Sequence, residues 1–254
     1  MTVYFPCGAA QLDRVGSSDM ENRYGGDGFG LRRRRGMLPT AIKYLLIANV
    51  GLFAADWVAT YLASRGVMSP VYWWLFDPRH GALPLQPNID PDLAAAYGML
   101  KPWQLVTYMF VHGGIGHVGI NMFMLWMFGV EVEERWGTRH FTTYYFLCGI
   151  GGAVLQILVP MLLGKPPVPV VGASGAVAGA LLAYGLMFPN RRLVLFPIFI
   201  PIPAKWFVVI YVAVELFRGL GGSTGIAHFA HLGGMLFGYL YIRHQQRKRR
   251  FLRF

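Results

Sequence analysis

The chain has 254 residues, 55% of them hydrophobic and only 14% charged, where a soluble domain of this size carries about 25% charged residues. Its two cysteines, Cys7 and Cys148, are too few for a disulfide framework. The net charge of +11 does not point to nucleic acid: Arg32, Arg33, Arg34 and Arg35 precede the first long apolar run, and Arg247, Lys248, Arg249 and Arg250 follow the last, where anionic lipid headgroups are the natural partners.

Residues 1–36 are polar and Gly-rich, lack apolar periodicity and carry no secretory signal, so they read as a disordered cytosolic tail. Beyond them, six apolar segments alternate with short polar breaks, at about 41–63, 116–132, 141–163, 171–188, 198–217 and 226–242. Each is near the roughly 20 residues that cross the hydrocarbon layer as a helix. The second and last are short and extend into neighbouring polar residues or sit in a thinned region. The fifth opens on Pro197, Pro201 and Pro203, so its helix is predicted to start near Ala204. With both termini inside, the inside segments hold 18 of the 23 Lys and Arg residues, which fixes the expected orientation. The first outer connection, 64–115, is long and carries Trp73, Trp74 and Trp103, a composition that suits the membrane interface.

Polar groups inside apolar spans are costly, so each is a candidate for function. Three groups fall near the outer ends of spans. Gly172-Ala173-Ser174-Gly175 opens the fourth, with glycines that let a backbone approach Ser174 and a helix N-terminus that favours developing negative charge. Alone it is a weak signal, since Gly175 and Gly179 form a GxxxG pair, which more often means helix packing than catalysis. His228 and His231 open the sixth, followed by a second GxxxG pair, Gly234 and Gly238. A histidine touching a serine activates it as a nucleophile; a histidine bonded to a carbonyl does nothing of the kind. His112, His117 and Asn121 lie at the outer end of the second span. His117 and Asn121 share one helix face, as two donors of an oxyanion hole or as an interhelical packing pair.

Other chemistries fit less well. No HExxH motif supports zinc, and no pair of intramembrane aspartates supports an aspartyl protease. A proton-coupled transporter needs an acidic pathway, and Asp56, Glu131 and Glu215 lie at different depths without a repeat between halves.

Taken together, His112-Gly-Gly-Ile-Gly-His117-Val-Gly-Ile-Asn121, Glu133-Glu-Arg-Trp-Gly137, Gly172-Ala173-Ser174-Gly175 and Ala230-His231-Leu-Gly-Gly234-Met-Leu-Phe-Gly238 resemble the rhomboid family of intramembrane serine proteases. The resemblance implies an all-α fold: a polytopic integral membrane protein with a six-helix bundle over residues 37–243 and a basic cytosolic tail at 244–254. It implies Ser174 as nucleophile and His231 as general base. His117, Asn121 and the Ser174 backbone N–H stabilise the oxyanion, Gly172 joins this substrate-binding group, and His112 and His228 are supporting residues. It implies no cofactor, no metal and no third triad member; the partners are transmembrane protein substrates and the lipid bilayer. Glu133 and Gly137 match a structural motif. Three features depart from the family pattern. Gln104 follows Trp103 where the family has arginine. Ala178 stands where a tyrosine often stacks on the catalytic histidine, leaving that role to His228 or an aromatic from another helix. Gly219, Gly221, Gly222 and Gly225 suggest a mobile lid before the sixth span. A catalytically inactive rhomboid-like binding or quality-control protein is the alternative, and a transporter a more distant one. Size and tail point to a bacterial inner membrane.

Overall fold

A computed structural model of the chain describes residues 38–65, 102–164, 170–194, 200–221 and 227–251. The N-terminal tail, Trp73 and Trp74, and most of the first outer connection lie outside the described residues. Each of the six apolar segments is helical. α1 is Thr40–Ser64, and a short α2 (Gln104–Thr107) with a 3-10 turn (Tyr108–Phe110) precedes α3 (Ile115–Met124). A π-helical turn at Leu125–Gly129 carries α3 into α4 (Val130–Trp136), after which come α5 (Thr138–Leu162), α6 (Ser174–Met187), α7 (Ala204–Gly221) and α8 (His228–Phe251). A two-stranded antiparallel hairpin, β1 (Arg192–Val194) and β2 (Pro201–Pro203), joins α6 to α7.

Among the described residues, three helices are long and apolar enough to cross a membrane: Thr40–Leu62, Ile115–Trp136 and Thr138–Leu162. Their outer faces explain the composition. Along α1, Ile47, Trp57 and Tyr61 stand exposed, with Trp57 at 69%. A helix apolar on all sides yet little buried by its own protein is built for lipid rather than water. As the prolines imply, α7 begins at Ala204. The second segment extends to Trp136, and the last runs on through residues 244–251, so the basic end is helical there rather than a tail. Gly219 and Gly221 belong to α7 and not to a loop, while Gly222 and Gly225 lie outside the described residues.

The core is a three-helix contact of α5, α6 and α8 made by small residues. A Cβ on Gly234 would run into the Gly175 carbonyl, one on Gly233 into the Gly151 carbonyl, and one on Gly179 into the Cys148 thiol. Backbones this close exclude any side chain between them, which is how GxxxG faces associate without a hydrophobic driving force. Tyr144 and Tyr108, both fully buried, donate their hydroxyls to the carbonyls of Gly179 and Gly149 at 2.7 Å each.

Glu133 shows what the second motif does. Its two carboxylate oxygens accept the N–H groups of Ala41 and Ile42, each at 2.8 Å, and the Thr138 hydroxyl at 2.7 Å. Ala41 and Ile42 lie in the first turn of α1, where amides lack intrahelical acceptors and the dipole favours an anion. One buried carboxylate thus pins α1 to the junction of α4 and α5. That junction needs Gly137, whose φ of +82° lies in the region side chains avoid. Glu133→Ala strands the two amides, so it should destabilise the protein by about 3 kcal/mol, lowering Tm by roughly 6–12 °C. Thermal unfolding in detergent checks this; an unchanged Tm would mean that α1 is held by other contacts.

Candidate active site

The turn before α6 is forced by its neighbours. Gly172 has φ +111°, and a Cβ there would fall 2.7 Å from His117 Nε2 and 3.7 Å from Asn121 Nδ2. Both conformation and space therefore require glycine, and α3 comes directly against the turn. The Gly172 N–H donates to the Tyr108 carbonyl at 2.8 Å, so this residue supplies room rather than a free donor. The Ala173 N–H faces His112 Nε2 at 3.5 Å, the long limit of a hydrogen bond. Burial first, and then the neighbouring His117, pull His112 down to about 4, which leaves the imidazole neutral and its Nε2 able to accept. α6 then begins at Ser174 itself. The Ser174 side chain is partly exposed, and its hydroxyl makes no hydrogen bond among the described residues.

On the other side lies α8. A Cβ on Gly175 would sit 3.0 Å from the Ala230 carbonyl. Gly175 follows Ser174 and Ala230 precedes His231, so Ser174 and His231 belong to the same level of two helices in backbone contact. The Ala230 N–H is held by Gln156 Oε1 of α5 at 3.0 Å, which fixes the start of α8 in depth. Gly172 meets His117 of α3 and Gly175 meets Ala230 of α8, so the candidates from α3, α6 and α8 converge on one place.

The donors can be assigned. His117 Nδ1 accepts the Gly113 N–H at 3.4 Å. A neutral imidazole that accepts at Nδ1 carries its proton on Nε2, and Nε2 is the atom facing Gly172. Asn121 Nδ2 donates to the His117 carbonyl at 3.0 Å; an amide nitrogen has a second proton to offer. Two side-chain donors therefore border the turn that presents Ser174. His112 and His117 pack edge-on, with ring centroids 5.1 Å apart.

Two further groups touch His231, and neither was singled out for the site from sequence. Glu215 of α7 has Oε1 3.1 Å from His231 Nδ1 and Oε2 2.6 Å from His228 Nδ1. The His231 approach, though within ion-pair range, lies off the line of an ideal hydrogen bond. Tyr211, one turn before Glu215, sets its ring 6.1 Å from that of His231 at 38°. The signal was present, since an intramembrane carboxylate is a functional candidate and positions 211 and 215 share a helix face.

Comparison with known proteins agrees with the motifs. The Rhomboid domain model matches residues 100–246, more than half of the chain. Over 232 residues, 84% of this chain, the sequence is 28% identical to RHOMBOID-like protein 4 of Arabidopsis thaliana. It is 32% identical over 141 residues, 54% of the chain, to Rhomboid protein 1, mitochondrial, of Saccharomyces cerevisiae. It is 31% identical over 139 residues, again 54% of the chain, to the rhomboid protease GluP of Bacillus subtilis. The matches span 54%, 40% and 25% of these relatives' own lengths, so each relative is considerably longer than the shared region.

Proposed function

The chain belongs to the rhomboid family, and from that premise we propose that it is an intramembrane serine endopeptidase that cleaves transmembrane protein substrates near the outer face of the membrane. The observation that supports this reading is the tight turn at Gly172, which meets His117 and Asn121 of α3 just before Ser174 opens α6, while Gly175 meets Ala230, the neighbour of His231, on α8.

In this mechanism Ser174 Oγ attacks the scissile carbonyl carbon as His231 Nε2 takes its proton. The carbonyl oxygen, now an anion, is held by the His117 Nε2–H, the second Asn121 N–H and the Ser174 backbone N–H. Collapse breaks the C–N bond, and the imidazolium returns the proton to the leaving amine. Water then attacks the acyl group, giving its proton to His231, and Ser174 leaves with that proton. The nucleophile–base hydrogen bond is often long in resting enzymes and tightens with substrate, which accords with an unclaimed Ser174 hydroxyl. Substrate segments must be unwound at the site, because a hydrogen-bonded helix hides its carbonyls.

The same proposal takes all six apolar segments as spans, with the tail at 1–36 and the basic C-terminal end on the cytoplasmic side, following the charge asymmetry. A bacterial inner membrane finds no support in the comparisons: the relatives include yeast and plant mitochondrial proteins as well as a bacterial one. A transporter gains nothing from the acids, since Glu131 pairs with Arg191 and Glu215 with histidines.

A serine-directed fluorophosphonate tests the reading on the full-length protein in detergent. One label per chain, on Ser174, is the expected result. Folded protein that takes up no label, or takes it elsewhere, would assign this chain to the inactive rhomboid-like proteins.

A further inference from the structure

The proposal that follows rests on the protease reading. The base, His231, is contacted by two side chains of one neighbouring helix, both on the same α7 face. Glu215 is buried, in a setting where an ionised carboxylate is costly and an apolar residue of similar volume is the cheaper way to pack a helix. Its carboxylate lies between the two histidines: Oε2 is hydrogen-bonded with His228 Nδ1 at 2.6 Å, and Oε1 lies 3.1 Å from His231 Nδ1, within ion-pair range. An ionised carboxylate only accepts. A carboxylate this close favours a proton on Nδ1 of each histidine, and in a neutral His231 that leaves Nε2 bare. This is the tautomer a general base needs. The opposite tautomer would put two lone pairs face to face and leave Nε2 unable to take the serine proton.

The second side chain answers the departure at Ala178. Ala178 packs with Leu182 and Met235, and Tyr211 of α7 packs against this cluster. The small residue on α6 leaves space that a tyrosine from α7 enters, and its ring lies 6.1 Å from the His231 ring. Among the described residues, the groups beside His231 are thus Glu215 and Tyr211 from α7, and His228 from its own helix by way of Glu215.

We propose that α7 completes the catalytic centre. Glu215 is a positioning residue that holds His231 in its Nδ1–H tautomer, and Tyr211 braces the ring from the space that Ala178 leaves. The dyad works as Ser174, His231 and Glu215 in series, with His228 securing the far carboxylate oxygen.

The test is Glu215→Gln in the full-length protein, assayed with a fluorogenic single-span transmembrane substrate and with the fluorophosphonate probe. An amide keeps the shape of the side chain but cannot accept from both histidines through both of its terminal atoms. The expected result is a fall in kcat of about 10²-fold or more, with KM and Tm little changed and the labelling rate falling in parallel. A variant with kcat within about twofold of wild type overturns the proposal, as does a loss that tracks a lowered Tm and vanishes on cooling. Should the variant fail to fold, the wild-type tautomer decides. In histidine-selective 15N spectra, the resonances lost in His231→Asn should report a protonated Nδ1 and a bare Nε2; the reverse assignment overturns the proposal. Normal cutting and labelling by Glu215→Gln removes the positioning role and leaves the protease reading intact. Wild-type protein that neither cuts nor labels removes both.

Discussion

Ser174→Ala is expected to reduce cleavage of a transmembrane substrate by on the order of 10⁴-fold or more, to the background of the assay. The reason lies in what remains. The donors of α3 and the base of α8 stay in place, but no atom attacks the carbonyl, and what is left is the small acceleration of a bound, polarised peptide in the presence of water. Folding should be unaffected. Ser174 is the first residue of α6, its hydroxyl makes no hydrogen bond among the described residues, and alanine favours the helix by a few tenths of a kcal/mol. The loss therefore cannot be assigned to unfolding if Tm holds. Steady-state cleavage and thermal unfolding on the same preparation check both halves. Normal turnover by well-folded Ser174→Ala protein would sink the mechanism.

Much of the framework was legible from residue order. Apolar runs marked the helices because lipid accepts nothing else, and the prolines before Ala204 set the start of α7 because a ring without an N–H cannot continue a helix. The small-residue faces of α6 and α8 foretold their close approach, and Gly234 against Gly175 is that approach at its tightest. The support of the base was harder to see. Glu215 and Tyr211 are one turn apart on α7, but their target is on α8, and no spacing along a chain says which face of one helix meets which face of another. Glu133 was legible only as part of a motif; its bonds to Ala41 and Ile42 cross 92 and 91 residues of sequence. The glycines around Ser174 announced a close approach without saying to what, and the answer for Gly172 is His117.

His231→Ala and His228→Ala should differ sharply, although both histidines touch the same carboxylate. His228 has its Nδ1 2.6 Å from Glu215 Oε2, and its Cβ would lie 3.3 Å from a Cβ built on Gly219, so it faces α7. His231 follows Ala230, whose carbonyl abuts Gly175 next to Ser174, so His231 has α7 on one side and lies at the level of Ser174. In the proposed mechanism, removing His231 takes away the group that accepts the serine proton and returns it to the leaving amine. The expected fall in kcat is on the order of 10⁴-fold or more, with KM little changed, because the base binds no part of the ground-state substrate. Removing His228 leaves Glu215 beside His231, and should lower kcat by no more than about tenfold, near 1.4 kcal/mol of barrier. Fluorophosphonate labelling should follow the same order, since the probe needs the same activated oxygen. Steady-state kinetics of the two variants, with Tm recorded for each, make the comparison. If His228→Ala were the inert variant and His231→Ala the active one, the base would be His228. Glu215 would then deliver its proton-orienting contact to the other histidine, and the order of groups leading to Ser174 would have to be redrawn.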